Sequence, residues 1–179
     1  MSGWPSAGHS VLAVPVEPLE AWVRARTAHY DAAYVSADPA FAHAHLTLLG
    51  PWLPAPSAAD LAAVGRLLAG VEPFEVELTE VAAFPDGVVH VRVAPEEPLQ
   101  ALTTRLVEQW PQCPPYAGQH PDSRPHVTLD RLSADVSLGW VAGQVRGLVP
   151  AALRVDRVDL QWWGAGACRV LESWKLGEG

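Results

Sequence analysis

The order of apolar and polar residues predicts alternating strands and helices in the first half of the chain. The segment from Ser10 to Val16 has the pattern of a strand, and the segment that follows has the periodicity of an amphipathic helix. The predicted elements are a strand at 10–16, a helix at 18–34, a short strand ending at Gly50-Pro51, a helix at 57–71 and a hairpin turning at 85–87.

The second half repeats this order. Its predicted elements are a helix at 96–110, a proline-rich loop, a strand within RPHVTLDRL, a helix at 133–148, a strand at 153–160, a turn at 164–166 and a strand within CRVLESWKL. The interval from the first histidine of each copy to its hairpin turn is nearly equal, from His45 to Asp86 and from His126 to Ala165. This duplication predicts one α+β domain over 1–179, with a first repeat at about 10–94, a second at about 95–177, and two lobes related by approximate two-fold symmetry.

Each copy contains the motif histidine-x-threonine at the same point. Side chains two positions apart in a strand share a face, so His45 points the same way as Thr47, and His126 the same way as Thr128. One such motif is more often a structural histidine than a functional one. Two copies at equivalent points of a repeat favour a site in which both polar faces meet in one groove.

Two imidazoles and two hydroxyls supply what cleavage of a phosphodiester needs without a metal. One neutral imidazole accepts a proton from the attacking water or hydroxyl, and the other, as imidazolium, donates a proton to the departing oxygen. The threonine hydroxyls donate to the nonbridging phosphate oxygens. The symmetry of the site lets acid and base exchange roles in the reverse direction, so the sequence alone does not say which histidine is the base.

Charge restricts the partners. The formal net charge is −8, and one lysine, Lys175, accompanies the arginines. A long duplex is usually held by a dense field of basic residues, whereas arginine suits bidentate contact with a single phosphate. A small nucleotide or an RNA end is therefore the expected partner, and duplex nucleic acid is not.

The chain shows no leader pattern at its start and no apolar stretch long enough for a membrane helix. Cys113 and Cys168 match neither a CxxC motif nor a disulfide framework, so they are interpreted as free thiols in a reducing compartment. We expect a cytoplasmic monomer that does not bind membranes.

The segments HLTLLGPW and PHVTLDRL, together with WKLG near the end, resemble the motifs of the two-histidine (2H) phosphoesterase superfamily. That superfamily includes the 2′-5′ RNA ligases and the RNA 2′,3′-cyclic phosphodiesterases. We expect no cofactor and no metal at this site. The resemblance implies antiparallel sheets lining a central cleft with helices outside, and catalytic roles for His45, Thr47, His126 and Thr128. It also implies hydrolysis of a 2′,3′-cyclic phosphate, with a 2′-phosphate product, or of a 2′-5′ phosphodiester, with ligation as the possible reverse reaction.

Four further residues are candidates for substrate binding. Arg124 could clamp a phosphate or be a surface residue paired with Asp122 or Asp130, and for Arg131 the surface interpretation is favoured. Tyr116 could stack on a base or simply anchor its loop. Trp163, like Trp52, follows the end of a strand and is expected at the rim of the cleft.

Three alternatives remain at this stage. A zinc site could use His43, His45, His126 and Cys113, although the spacing is not diagnostic and no acidic residue completes a cluster. The groove could also bind nucleotide or phosphate without turnover, or the enzyme could act on a specialised metabolite.

His43 is expected to be solvated at the entrance of its strand, and His90 and His120 have no partner that spacing identifies.

Overall fold

The computed structural model describes residues 8–119 and 124–178, so His120 and Asp122 lie outside the described residues. The strands are β1 (His9–Pro15), β2 (His45–Leu49), β3 (Phe74–Ala83), β4 (Val88–Ala94), β5 (His126–Arg131), β6 (Ala151–Val155), β7 (Arg157–Trp163) and β8 (Arg169–Lys175). The α-helices are α1 (Glu20–Tyr30), α2 (Ala58–Ala69), α3 (Glu97–Gln109) and α4 (Leu138–Gln144). Short 3-10 turns lie at Glu17–Leu19, Ala32–Tyr34 and Pro115–Gly118.

The strands form an antiparallel sheet in the order β6-β3-β4-β5-β2-β1-β7-β8. The α+β class with antiparallel strands is confirmed. The expected pair of sheets is instead one eight-stranded sheet over the described residues, because β2 and β5 pair through Leu46 and Val127 and join the two halves. Each half of the sheet contains strands from both predicted repeats, and the repeat boundary remains a prediction.

Helix α3 shows how the apolar pattern places a helix on the sheet. Leu99, Leu102 and Leu106 recur at helical spacing and are almost completely buried. The hydroxyl of Thr103 on the same helix donates to the carbonyl of Leu48 at 2.8 Å. This contact ties α3 to β2, the strand that carries the first histidine motif.

Helix α4 is shorter than the predicted helix at 133–148. The Ser133 hydroxyl accepts from the backbone N–H groups of Asp135 and Val136, which holds the first residues in a turn. The helix begins only after Ser137, whose hydroxyl accepts from the N–H of Trp140. Serine at 133 therefore starts a turn, and serine at 137 starts the helix.

Within the described ranges, no helix is long and apolar enough to cross a membrane.

Candidate active site

The two histidine motifs lie side by side at the centre of the sheet. Leu46 of β2 is paired with Val127 of β5, and both side chains are buried. In an antiparallel pair this register sets His45 beside Thr128, and Thr47 beside His126, on the opposite face from the two apolar residues. The structure therefore brings together the four residues predicted to form the site, hereafter the tetrad.

Both tetrad histidines are oriented by the same local hydrogen bond. The Nδ1–H of His45 donates to the carbonyl of His43 at 2.9 Å, and that of His126 donates to the carbonyl of Arg124 at 2.7 Å. A carbonyl only accepts, so Nδ1 must carry the proton in each ring. In the neutral form of either ring, Nε2 is then the nitrogen that carries the lone pair.

The surroundings of His45 favour its neutral form. Burial lowers the pKa of His45, and positive charge on His126 lowers it further. The hydrogen bond to His43 and the negative charge of Glu20 raise the pKa, but the net shift is downward. His9 at the start of β1 belongs to the same electrostatic group. Burial, followed by repulsion from His45, lowers the pKa of His9 to about 4.

Aromatic side chains flank the two histidines. The Trp163 ring lies 5.3 Å from the His45 ring, and the Tyr116 ring stacks on His126 at 6.1 Å. Tyr116 has a φ of 51°, which is unusual for a residue other than glycine, and its N–H donates to the carbonyl of Gly50 at 2.7 Å. Tyr116 and Trp163 therefore both lie beside the tetrad histidines.

Two cavities adjoin the tetrad on opposite sides. The ring pocket, of about 490 Å³, adjoins His45 and Thr128 and is lined by Val23, Arg26, Thr27, Tyr30, Asp31, Tyr34, His43, Val88, Leu129, Asp130, Arg131 and Trp163. The loop pocket, of about 360 Å³, adjoins Thr47 and is lined by Leu48, Gln100, Thr103, Thr104, Pro114, Pro115, Tyr116, Gly118, Arg124 and Pro125. Aromatic residues thus line part of the cavity at His45, and three threonines, Thr47, Thr103 and Thr104, line part of the other cavity.

The two candidate arginines border these cavities and are paired with protein groups. Arg124 forms an ion pair with Glu96 at 3.2 Å, not with Asp130 as considered from the sequence. Arg131 donates from Nη1 to the carbonyl of Asp86 at 2.9 Å.

Trp52, expected at the cleft rim, is instead buried in the core against Trp110, with ring centroids 5.1 Å apart.

His43 is a structural residue, contrary to its expected exposure. It is only 3% exposed, its Nδ1–H donates to Glu20 at 2.7 Å, and its Nε2 accepts from the N–H of Ser36 at 3.1 Å. Glu20 also accepts from the N–H of Ala44 at 2.8 Å. Both ring nitrogens of His43 are occupied, so it has no lone pair to offer a metal. Among the described residues, no group of three or more histidine, cysteine or acidic side chains is placed to hold a metal ion.

His90 belongs to the surroundings of the site, which the sequence did not show. It is the β4 partner of Thr128, it stacks on Phe84 at 3.8 Å, and its ring lies 5.4 Å from that of His126. Its Nδ1–H donates to the carbonyl of Val88 at 3.3 Å, the same local bond that the tetrad histidines make. Burial lowers the pKa of His90, so it adds a neutral ring beside His126.

An α+β fold whose antiparallel sheet carries two histidine-x-threonine strands at its centre is typical of the two-histidine phosphoesterases. A family model described as the 2′-5′ RNA ligase superfamily matches residues 14–167. The chain belongs to that superfamily, whose members are phosphoesterases and ligases.

Solved structures with the same fold cover nearly the whole chain. Escherichia coli LigT without ligand is 22% identical, with a TM-score of 0.56 over 97% of this chain and 100% of that one. LigT complexed with 3′-AMP is 21% identical, with a TM-score of 0.55 over 96% and 99%. A Thermus thermophilus protein, TT0787, is 21% identical, with a TM-score of 0.53 over 94% and 98%. At these identities the likeness shows the fold. No curated protein sequence matches the chain.

Proposed function

We propose that the protein is a metal-independent phosphodiesterase that hydrolyses 2′,3′-cyclic phosphate or 2′-5′ phosphodiester bonds of RNA ends or small nucleotides. The observation that carries the proposal is the pairing of Leu46 with Val127, which sets the two motifs next to each other on one face of the sheet. Two imidazoles and two hydroxyls around one small volume match the acid, the base and the hydrogen-bond donors that the reaction needs.

The unequal surroundings of the two histidines suggest their roles. His45 has a lowered pKa and is neutral near pH 7, so its Nε2 is suited to take a proton from water. As the water oxygen bonds to phosphorus, the bond from phosphorus to the departing oxygen breaks, and His126 gives that oxygen a proton. Thr47 and Thr128 donate to the nonbridging oxygens throughout. A base of lowered pKa is already deprotonated at neutral pH, which favours this assignment over the reverse.

Substrate groups are proposed to bind on either side of the tetrad. Tyr116 stacks on His126 and lines the loop pocket, where it can support the base of a departing nucleoside. Arg124 lines the same pocket, is 65% exposed at its side chain, and can exchange Glu96 for a phosphate. Arg131 is a rim residue of the ring pocket. The binding of 3′-AMP by LigT is consistent with a small nucleotide in the cleft of this fold.

The proposal is tested by assaying the purified protein on adenosine 2′,3′-cyclic phosphate and on 2′-5′-linked dinucleotides, after dialysis against a chelator. Turnover should survive the chelator, and His45→Ala and His126→Ala should each lower kcat by at least about 100-fold, the size of a general acid–base contribution. His29→Ala, an exposed histidine of α1, is the matched control. Full turnover in both tetrad variants would refute catalysis by these residues, and tight binding without turnover by the wild type would indicate a binding module.

A further inference from the structure

The rings of Phe84 and His90 form a closely stacked pair beside the tetrad. Their centroids are 3.8 Å apart, and their planes differ by 16°. His90 is almost completely buried, and Phe84, just after β3, is partly buried. His90 lies directly opposite Thr128 on β5, so its side chain is on the tetrad face of the sheet. The proton transfers and phosphate contacts proposed above use neither of these residues, hereafter the Phe84–His90 stack.

Three centroid distances locate His126 at the side of the Phe84–His90 stack. The His126 ring lies 4.9 Å from Phe84 and 5.4 Å from His90, although these two rings are only 3.8 Å apart. A ring over the outer face of either one would be much farther from the other, so His126 lies against the edges of both. Its plane is steeply inclined to theirs, at 84° and 70°. Perpendicular contacts at such distances are favourable between aromatic rings, so the stack forms a wall along one side of His126.

The hairpin between β3 and β4 holds both rings of the stack in place. The carbonyl of Val88 accepts from the N–H of Phe84 at 2.9 Å and from the Nδ1–H of His90 at 3.3 Å. The N–H of Gly87, in the turn, donates to the carbonyl of Phe84 at 2.9 Å. The N–H of Leu132 donates to the carbonyl of Gly87 at 2.8 Å. The hairpin that carries the stack is therefore bonded to the end of β5, the strand with the second histidine motif.

The orientation of the His126 ring needs more support than its own strand gives, because the residue is only partly buried. The hydrogen bond from Nδ1 to the carbonyl of Arg124 holds one edge of the ring, but the torsion that turns an imidazole has broad minima. The Tyr116 ring is nearly parallel to His126 at 6.1 Å, farther away than either ring of the stack. Proton transfer needs Nε2 within hydrogen-bond reach of the reacting oxygen, and a displacement of about 1 Å can cost about 100-fold in rate.

We propose that Phe84 and His90 are positioning residues for His126. The edges of their stacked rings keep the His126 ring turned so that its Nδ1–H stays on the carbonyl of Arg124 and its Nε2 stays directed at the reacting oxygen. The stack acts through the shape and place of its rings, so another aromatic ring can replace either one, and a side chain without a ring cannot. This inference rests on the proposed function, and it holds whether His126 gives or takes the proton.

The kinetic test measures kcat and KM on adenosine 2′,3′-cyclic phosphate or a 2′-5′-linked dinucleotide, whichever wild type turns over faster. Phe84→Leu and His90→Asn each remove one ring, so kcat should fall about 10- to 100-fold while KM changes less than about 3-fold. Phe84→Tyr and His90→Phe keep the stack and should have a kcat close to that of wild type. Phe74→Leu, at a partly buried position that packs against the core at the start of β3, is the matched control and should keep wild-type kcat.

Urea unfolding of each variant shows whether it is folded under the assay conditions. His90 is almost completely buried, so its variants are the more sensitive to packing. If either of them is unfolded, the comparison of Phe84→Leu with Phe84→Tyr, at the more exposed ring, provides the kinetic result.

The tautomer of His126 gives a readout that lost stability alone would not change. Two-bond 1H–15N spectra report it at a pH where the ring is neutral, and His126→Ala identifies the signals. The Nδ1–H tautomer should predominate in wild type, as the bond to Arg124 requires. In Phe84→Leu the Nε2–H tautomer should increase, because the ring is free to turn away from that carbonyl.

Three results would overturn the inference and leave the proposed function intact. They are wild-type kcat in Phe84→Leu, a loss of kcat in Phe84→Tyr or folded His90→Phe as large as in the variant without the ring, and a fall in kcat with no change in the tautomer of His126. Failure of the proposed function has a different signature, because wild type would then turn over neither substrate or His126→Ala would keep full turnover, and the inference would fall with it.

Discussion

His45 and His126 make the same local hydrogen bond but lie in different surroundings. Each ring donates from Nδ1 to a carbonyl two residues earlier, so the two strands orient their rings alike. Trp163 lies against His45, whereas Phe84, His90 and Tyr116 surround His126. The duplicated motif supplies two equivalent histidines, and their neighbours make them unequal.

The lowered pKa of His45 predicts the acidic side of the pH–rate profile. His45 must be deprotonated to act as a base, so kcat/KM should rise with pH through the pKa of His45, and the midpoint of this rise should lie below the ordinary histidine value of 6.5. Activity should fall again at higher pH, as the acid loses its proton. The check is kcat/KM for the cyclic substrate from about pH 4 to about pH 9, a range that spans both limbs. An acidic limb centred above 6.5 would contradict the assignment of His45 as base.

The tetrad threonines are predicted to act through their hydroxyl groups. Thr47→Val and Thr128→Val keep the shape of the side chain and remove the donor to the phosphate, so kcat should fall about 10- to 100-fold with a smaller change in KM. Thr79→Val on β3, whose hydroxyl donates to the carbonyl of Arg92, is the control and should keep wild-type kcat. Unchanged kcat in both tetrad variants would leave the hydroxyls without a role in the reaction.

At the scale of elements, Glu20 links helix α1 to the entrance of β2. Burial raises the pKa of Glu20, but hydrogen bonds from His43 and from the N–H of Ala44 outweigh it, and the pKa is lowered. A carboxylate with a lowered pKa stabilises the fold above its unfolded pKa, and this stabilisation is lost as pH falls through the folded value.

Glu20→Gln should therefore destabilise the protein by about 1–2 kcal/mol at neutral pH, because one acceptor oxygen is replaced by a donor. The difference from wild type should shrink as pH falls below 4.5, where the wild-type carboxyl also becomes protonated. Urea unfolding at several pH values measures this. Glu17→Gln, at an exposed position just before α1, is the control. A difference that does not vary with pH would exclude ionisation of Glu20 as the cause.

A second link joins α1 to β5 through Arg26 and the buried Asp130. Asp130→Ala removes the partner of Arg26 and the acceptor of the Tyr30 hydroxyl, so unfolding free energy should fall by about 3 kcal/mol. Asp156→Ala breaks the exposed pair with Arg154 and should change stability by less than about 1 kcal/mol. Equal effects of the two substitutions would show that burial of the Asp130 pair does not matter.

The sequence predicts helices well where capping and periodicity agree, and poorly where a serine has two possible uses. Helix α2 follows the predicted helix because Ser57 and Asp60 form a reciprocal capping box. Ser133 instead closes a turn, and the choice between turn and helix depends on backbone contacts that composition does not reveal. The hydrogen bonds of the buried His43 are equally hidden in the sequence, since its partners Glu20 and Ser36 lie outside its own strand and meet it only in the folded chain.

For the whole molecule, the duplicated pattern predicted the class of fold and the meeting of the two motifs. It did not predict a single continuous sheet, because strand order depends on which edges pair, and local alternation does not specify that. The pairing of β2 with β5 both joins the halves and sets the two histidine motifs side by side. His90 was missed for the same reason, since its position next to Thr128 arises only from the pairing of β4 with β5.

The central claim is that the tetrad hydrolyses a phosphodiester by histidine acid–base catalysis. The most direct test is kcat of chelator-treated protein on adenosine 2′,3′-cyclic phosphate and a 2′-5′-linked dinucleotide, for wild type, His45→Ala, His126→Ala and the double variant. We predict that wild type turns over at least one substrate and that each single variant loses at least about 100-fold, with little further loss in the double variant, because the two histidines act as a unit. Wild-type turnover that persists in the double variant would contradict the account.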